Sequence, residues 1–287
     1  MTVVADGELV LRDAPGPTVL GGGWRRSFEL LYLIAVNEFK RTYFGTVLGY
    51  LWSLARPLLL FAVLVTVFTK LIKLGSGIPS HLSPVFLLMN IVLFGFFGEA
   101  TGNAVQSVVL QESVVRKTQF PRLVIPLAVV LTGLFNLGLN LVVVLIFLFA
   151  FGVTPVWTWI LFPVVLLLLL VLTVAVSMIV SALYPRFRDV GIIWSVLSTV
   201  LFYMTPIMYP IELIQNHHLA RHVIPLNPLV PIFELARKWI IQPNAPDPVA
   251  AAGGVSVLLG SIAIYVGICV FAVWIFRREA PRIAEEL

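Results

Sequence analysis

The chain contains a single cysteine, Cys269, among 287 residues. It lies inside an apolar run without a second thiol, so no disulfide framework and no thiolate metal site can form. Charge is scarce as well, at 11% of residues, where a soluble domain carries roughly a quarter. Neither a G-x-x-x-x-G-K-[ST] loop nor a G-x-G-x-x-G turn occurs, so the sequence offers no cradle for nucleotide phosphates. If ATP drives this chain, another polypeptide binds the ATP. Four histidines and 14 acids scattered along the chain assemble no Ser-His-Asp, Cys-His or paired-carboxylate arrangement, which argues against a membrane enzyme.

What the chain has in abundance is apolar surface: 60% hydrophobic residues and a mean hydropathy of +1.02. Six apolar runs stand out, at about 51–72, 85–108, 124–151, 157–183, 190–209 and 255–276. At about 1.5 Å per residue, roughly 20 residues cross a hydrocarbon core of about 30 Å. Backbone groups in lipid must be satisfied internally, and the runs lack the period-two alternation of a membrane barrel, so they are expected to be helices. The expected architecture is all-α, with six membrane spans.

A net charge of +5 could suggest a nucleic-acid partner, but the basic residues sit at the ends of apolar runs rather than on a polar domain. Topology explains them better. With the N-terminus inside, only Lys70, Lys73, Arg221, Arg237 and Lys238 of the 19 Lys and Arg residues fall outside. This bias predicts both termini in the cytosol. Residues 1–23 hold Asp6, Glu8 and Asp13 and no apolar segment leading to a small-residue cleavage site, and are expected to form a flexible cytosolic leader before one transmembrane domain, 24–287.

Two segments outside the spans carry pattern. Between residues 24 and 50, Phe28, Leu31, Tyr32, Ala35, Phe39 and Tyr43 recur with helical spacing among Arg25, Arg26, Lys40 and Arg41. That is a helix with one apolar stripe, suited to the membrane interface or to a cytosolic partner. The outer connection, 209–255, takes most of the eight prolines between Pro206 and Pro248, yet 232–241 is apolar with Glu234, Arg237 and Lys238 on one side. Two short helices dipping into the outer leaflet are expected there, buried against protein.

Glu99 is the one acid deep inside an expected span, and with Asn103 and Gln106 it forms an i, i+4, i+7 line on one helix face. A buried charge in a span is costly and marks function by default. Gly95, Gly98 and Gly102 lie close by, so the same face also reads as close helix packing; pathway lining and structural glue both remain open. His217, His218 and His222 cluster outside without the acids or thiols that would complete a metal site. Gly253, Gly260 and Gly267, seven residues apart, suggest a packing seam on the last helix. The joint 112–122, ESVVRKTQFPR, is short, basic and closed by Pro121; it reads as a lever from a soluble partner or as a positive-inside anchor.

Five segments in order, LGYLWSLARPLL (48–59), RKTQFPRLVIPL (116–127), YPRFRDVG (184–191), FYMTPIMYP (202–210) and LNPLVPIFELAR (226–237), resemble the ABC-2 type permeases of polysaccharide exporters. These include the O-antigen, cell-wall galactan and teichoic-acid exporters. The resemblance covers nearly all of the chain from residue 24 to 278. It implies a permease homodimer in the inner membrane, joined to two copies of a separate ATPase that holds the ATP and Mg, with no cofactor in this chain. The cargo would be a lipid-linked polysaccharide. By the same likeness Arg25, Arg26, Lys40 and Arg41 belong to an interface helix, while Glu112, Arg116, Lys117, Phe120 and Arg122 dock the ATPase. Residues 210–242 would form re-entrant outer helices, and Phe94, Phe97, Phe202 and Tyr203 would guide the glycan; Glu99 and Asn103, from the polar face of the second span, are the further pathway candidates. An exporter of drugs or simple lipids is the nearest alternative, and a membrane enzyme or assembly scaffold a more distant one.

Overall fold

The computed structural model describes residues 24–43, 51–67, 78–79, 81–111, 123–213 and 223–279, and among them every regular element is helical. In chain order these are α1 (Trp24–Tyr43), α2 (Leu51–Val65), α3 (Ser83–Leu110), α4 (Val124–Ala150), α5 (Phe162–Leu183, entered through a 3₁₀ turn, Trp157–Leu161) and α6 (Val190–Met204). The outer segment supplies 3₁₀ turns at Ile211–Leu213 and Ile224–Leu226, then α7 (Leu229–Ala236), a π turn (Arg237–Ile241) and α8 (Pro248–Ala251). The chain then enters α9 (Val255–Glu279).

Four of these units are long and apolar enough to cross a membrane: α3, α4, α5 with its leading turn, and α9, of 28, 27, 27 and 25 residues. The expected run 190–209 is corrected. Its helix stops at Met204 and covers only 15 residues, roughly 22 Å. Thr205 is extended (φ −90°, ψ 139°) because the ring of Pro206 excludes the helical region for the residue before it. The described part of the first run is α2, also 15 residues. Prolines mark starts as well: Pro84 and Pro163 occupy the first turns of α3 and α5, where a missing N–H costs nothing.

α3 runs through the middle of the bundle, packed on α2, α4, α5 and α6. Its tightest approach is to α4, where a Cβ on Gly133 would stand 3.2 Å from Ala100 Cβ and 3.4 Å from the Phe96 ring. α1 lies along α4, with Ala35 buried, the Thr132 hydroxyl donating to the Ala35 carbonyl (3.2 Å), and Phe135 meeting the rings of Tyr32 and Phe39 edge-on. α9 leans on α5 through the Tyr265 hydroxyl, which donates to the Leu168 carbonyl at 2.9 Å.

The glycine seam expected on the last helix divides into three different situations. Gly253 is a turn residue with φ +78° before α9 begins, where only glycine sits without strain. Gly260 faces Leu226 so closely that a Cβ would stand 2.8 Å from its methyl group, whereas one at Gly267 would meet no described atom within 4 Å.

Candidate functional site

The site grows from the C-terminal half of α3. Most of this helix is buried, but Gly95, Glu99, Gly102, Asn103, Gln106 and Leu110 are exposed along one stripe. Side chains added at Gly95 or Gly102 would meet no described atom within 4 Å, while Gly98 lies against Phe94 and the Ser198 hydroxyl. Gly98 thus packs within the subunit, Gly95 and Glu99 border a cavity, and Gly102, Asn103, Gln106 and Leu110 are exposed beyond it.

Beside the stripe lies a cavity of about 500 Å³ between α2, α3, α4 and α6. Its polar wall is Glu99, Asn136, Asn140 and Ser198; its apolar wall includes Pro57, Leu60, Phe94 and Phe202. The Asn136 amide donates to a Glu99 carboxylate oxygen at 3.4 Å, and the Asn140 amide donates to the Asn136 carbonyl at 2.8 Å. Carboxylate and amides together present both donors and acceptors at one edge of an aromatic surface.

The four expected aromatics do converge, on the seam between α3 and α6, though not in equal roles. Phe94 meets Phe202 with centroids 5.1 Å apart, and Phe202 meets Tyr203 at 5.4 Å. Phe97 is only 2% exposed and packs on Trp194 at 6.1 Å. The Trp194 indole N–H donates to the Thr101 hydroxyl (3.2 Å), which donates in turn to the Phe97 carbonyl (2.6 Å). Phe94 and Phe202 line the cavity, Phe97 holds α6 onto α3, and Tyr203 is turned outward. Asn103 is on the stripe rather than on the cavity wall.

Sequence reasoning missed Asn136, Asn140 and Ser198. The signal was available for the first two: a pair of amides four residues apart in an otherwise apolar span. Ser198 carries no such mark. Of the remaining expected residues, Lys40 is exposed on α1, and Arg25, Arg26 and Arg41 lie on the same helix. Glu112, Arg116, Lys117, Phe120 and Arg122, like His217, His218 and His222, lie outside the described residues.

At the other end of the bundle a second polar cluster closes the outer segment. Arg237 is wholly buried and donates to both Glu212 oxygens (2.9 and 2.8 Å), to Glu234 (3.4 Å) and to Gln242 (3.1 Å), while its guanidinium lies over the Phe86 ring. Burial pushes the Glu234 carboxyl up to about 7, although Arg237 pulls the other way. The spacing of Glu234 and Arg237 was legible in sequence; the third member, Glu212, comes from a turn 25 residues away. Around this cluster Lys238 pairs with Asp247, the Asn90 amide donates to the Pro206 carbonyl (3.3 Å), and the Trp159 indole donates to the Ile240 carbonyl (3.1 Å). The outer helices are thus pinned to α3 and to the start of α5.

An all-helical bundle with several membrane-length helices and a polar stripe on its central helix is the architecture of a multi-span membrane protein. The chain belongs to the ABC-2 type transporter family, whose model matches residues 29–241. It is similar to the O-antigen export system permease protein RfbA of Myxococcus xanthus, with 33% identity over 232 residues that cover 80% of this chain and 88% of that one. Two proteins of the same name from Klebsiella pneumoniae are 32% and 30% identical over 203 residues, 70% of this chain and 76% of each of theirs.

Proposed function

We propose that this permease is the membrane half of an ATP-driven exporter that carries a lipid-linked polysaccharide of the O-antigen class out of the cytosol. The supporting observation is the exposed stripe of α3. Glu99, Asn103 and Gln106 on an otherwise apolar, membrane-length helix are too costly to leave in lipid. They need water, polar cargo or another protein against them, and the open positions at Gly95 and Gly102 leave room for close approach. A second copy of the chain facing this stripe would enclose a polar pathway, with α2 and α6 completing six spans per subunit.

In this reading Glu99, Asn136 and Asn140 exchange hydrogen bonds with sugar hydroxyls, and the faces of Phe94 and Phe202 accept the apolar C–H faces of sugar rings. α1 lies in the cytosolic membrane interface and the segment 210–242 covers the outer exit. Two ATPase copies supply ATP and Mg and press on the joint 112–122. Because α3 and α4 pack closely at Gly133, force on their shared joint reaches the stripe directly. A galactan, or a teichoic-acid polymer with its phosphodiester backbone, is an alternative cargo in the same reading. The membrane is the inner one, with both termini in the cytosol.

The purified chain alone should hydrolyse no ATP, and hydrolysis should appear when the ATPase subunit is co-expressed and co-purified. Charge reversal at Arg116 and Lys117 should reduce both co-purification and the glycan detected at the cell surface. Wild-type levels of both in that variant would reduce the joint to a topological anchor and undo this part of the reading.

Glu99 supplies a second test. Glu99→Gln keeps hydrogen bonding to Asn136 and should export at near wild-type rates, whereas Glu99→Leu should assemble normally but lower surface glycan about tenfold or more. Normal export by both variants would remove the carboxylate from the pathway.

A further inference from the structure

The turn between α5 and α6 meets the C-terminal end of α9, and the two segments carry four arginines. Arg186 lies 3.7 Å from Glu279, and Arg278 lies 3.8 Å from the other oxygen of the same carboxylate. Glu279 is buried, yet the side chains of Arg186 and Arg278 remain 44% and 57% exposed. Arg188 and Arg277 are exposed, and among the described residues neither has an acidic partner. With Asp189 as the one further acid of this turn, positive charge is in excess.

Three of the guanidinium carbons also lie over aromatic rings, each 5.3 Å from a centroid: Arg186 over Phe187, Arg188 over Tyr184 and Arg278 over Trp274. A ring at that distance attracts the cation and leaves its N–H groups to bind an anion. The location is a membrane surface. α9 has 25 residues, roughly 37 Å, so an end carrying Trp274 and then Arg277 and Arg278 emerges at headgroup depth. Trp274 and Phe187 are both about half exposed, as rings in the interfacial belt are.

We infer that this junction binds the phosphate headgroup of an anionic lipid. Glu279 lies within ion-pair distance of Arg186 and Arg278, and Arg188 and Arg277 are exposed on the same two segments, so the junction offers cations at the depth where lipid phosphates lie. The inference rests on the membrane reading above and on none of its statements about glycan. A free phosphate shares the chemistry, so the test has to separate the two sources.

The full-length chain would be placed in nanodiscs containing phosphatidylglycerol and phosphatidylcholine, released, and its retained lipids counted by native mass spectrometry. Wild type should keep phosphatidylglycerol selectively. Arg188→Gln/Arg277→Gln, which touches no ion pair, should lower that retention about fivefold per arginine removed. Arg186→Gln/Arg278→Gln should do the same, and its melting point shows whether the loss of these two contacts with Glu279 has also unsettled the fold. Equal retention by wild type and the Arg188/Arg277 variant overturns the site. So does displacement of the lipid by millimolar inorganic pyrophosphate, which assigns the arginines to a soluble phosphate. Unchanged lipid retention with lost co-purification of the ATPase overturns it in favour of protein docking.

Discussion

Arg237→Ala is expected to unfold the outer segment, at a cost of about 3–5 kcal/mol, because it leaves the carboxylates of Glu212 and Glu234 facing one another without their cation. The loss should appear as a lower melting point and a poor yield of monodisperse protein in nanodiscs. Replacing all three residues with Met should recover much of that stability, since a buried ion cluster exchanged whole for apolar groups removes its own desolvation cost. A triple variant as unstable as the single one would mean that Arg237 acts through packing on Phe86 instead. The pH dependence has a definite sign. Glu234 takes its proton more tightly when folded, at about 7 against the usual 4.5. This contribution to stability is complete below about 4.5 and is lost as pH rises through about 7. Glu234→Gln should therefore gain on the wild type between pH 5 and pH 8, and a gap that stays constant over that range would contradict the assignment.

The second large effect separates two glycines that look alike in the sequence. Gly133→Leu should destabilise the subunit by about 1–3 kcal/mol, because its side chain would be driven into Ala100 and Phe96 at the principal helix contact. Gly102→Leu should leave the stability of the subunit within about 1 kcal/mol of wild type, since nothing described stands in its way. Export should nevertheless fall to background in Gly102→Leu, with pairing of two copies weakened, because the new side chain projects into the space that the polar stripe borders. Melting curves, cross-linking between copies and surface glycan together distinguish the two variants. Full export by Gly102→Leu would place the pathway elsewhere.

The sequence determined what composition and local pattern can determine. Sixty per cent hydrophobic residues in uninterrupted runs leave no alternative to membrane helices, since a backbone in lipid has to bond to itself. Proline positions set several helix starts, and Glu99, the one acid deep inside an expected span, lies on the exposed stripe of α3. The end of α6 was misplaced because hydropathy counts the apolar residues beyond Met204, while the steric effect of Pro206 acts one residue earlier. Tertiary structure decided everything that depends on which faces meet. Phe94 and Phe97 are three residues apart, yet one lines a cavity and the other is sealed beneath Trp194. Gly98 and Gly102 share a helix, yet among the described residues only Gly98 has a neighbour within 4 Å of a Cβ. Glu212 finds Arg237 across 25 residues, and Arg186 finds Glu279 across a longer stretch still. Such pairings arise from side chains that no repeat or spacing links, so they become legible only once the helices have been packed.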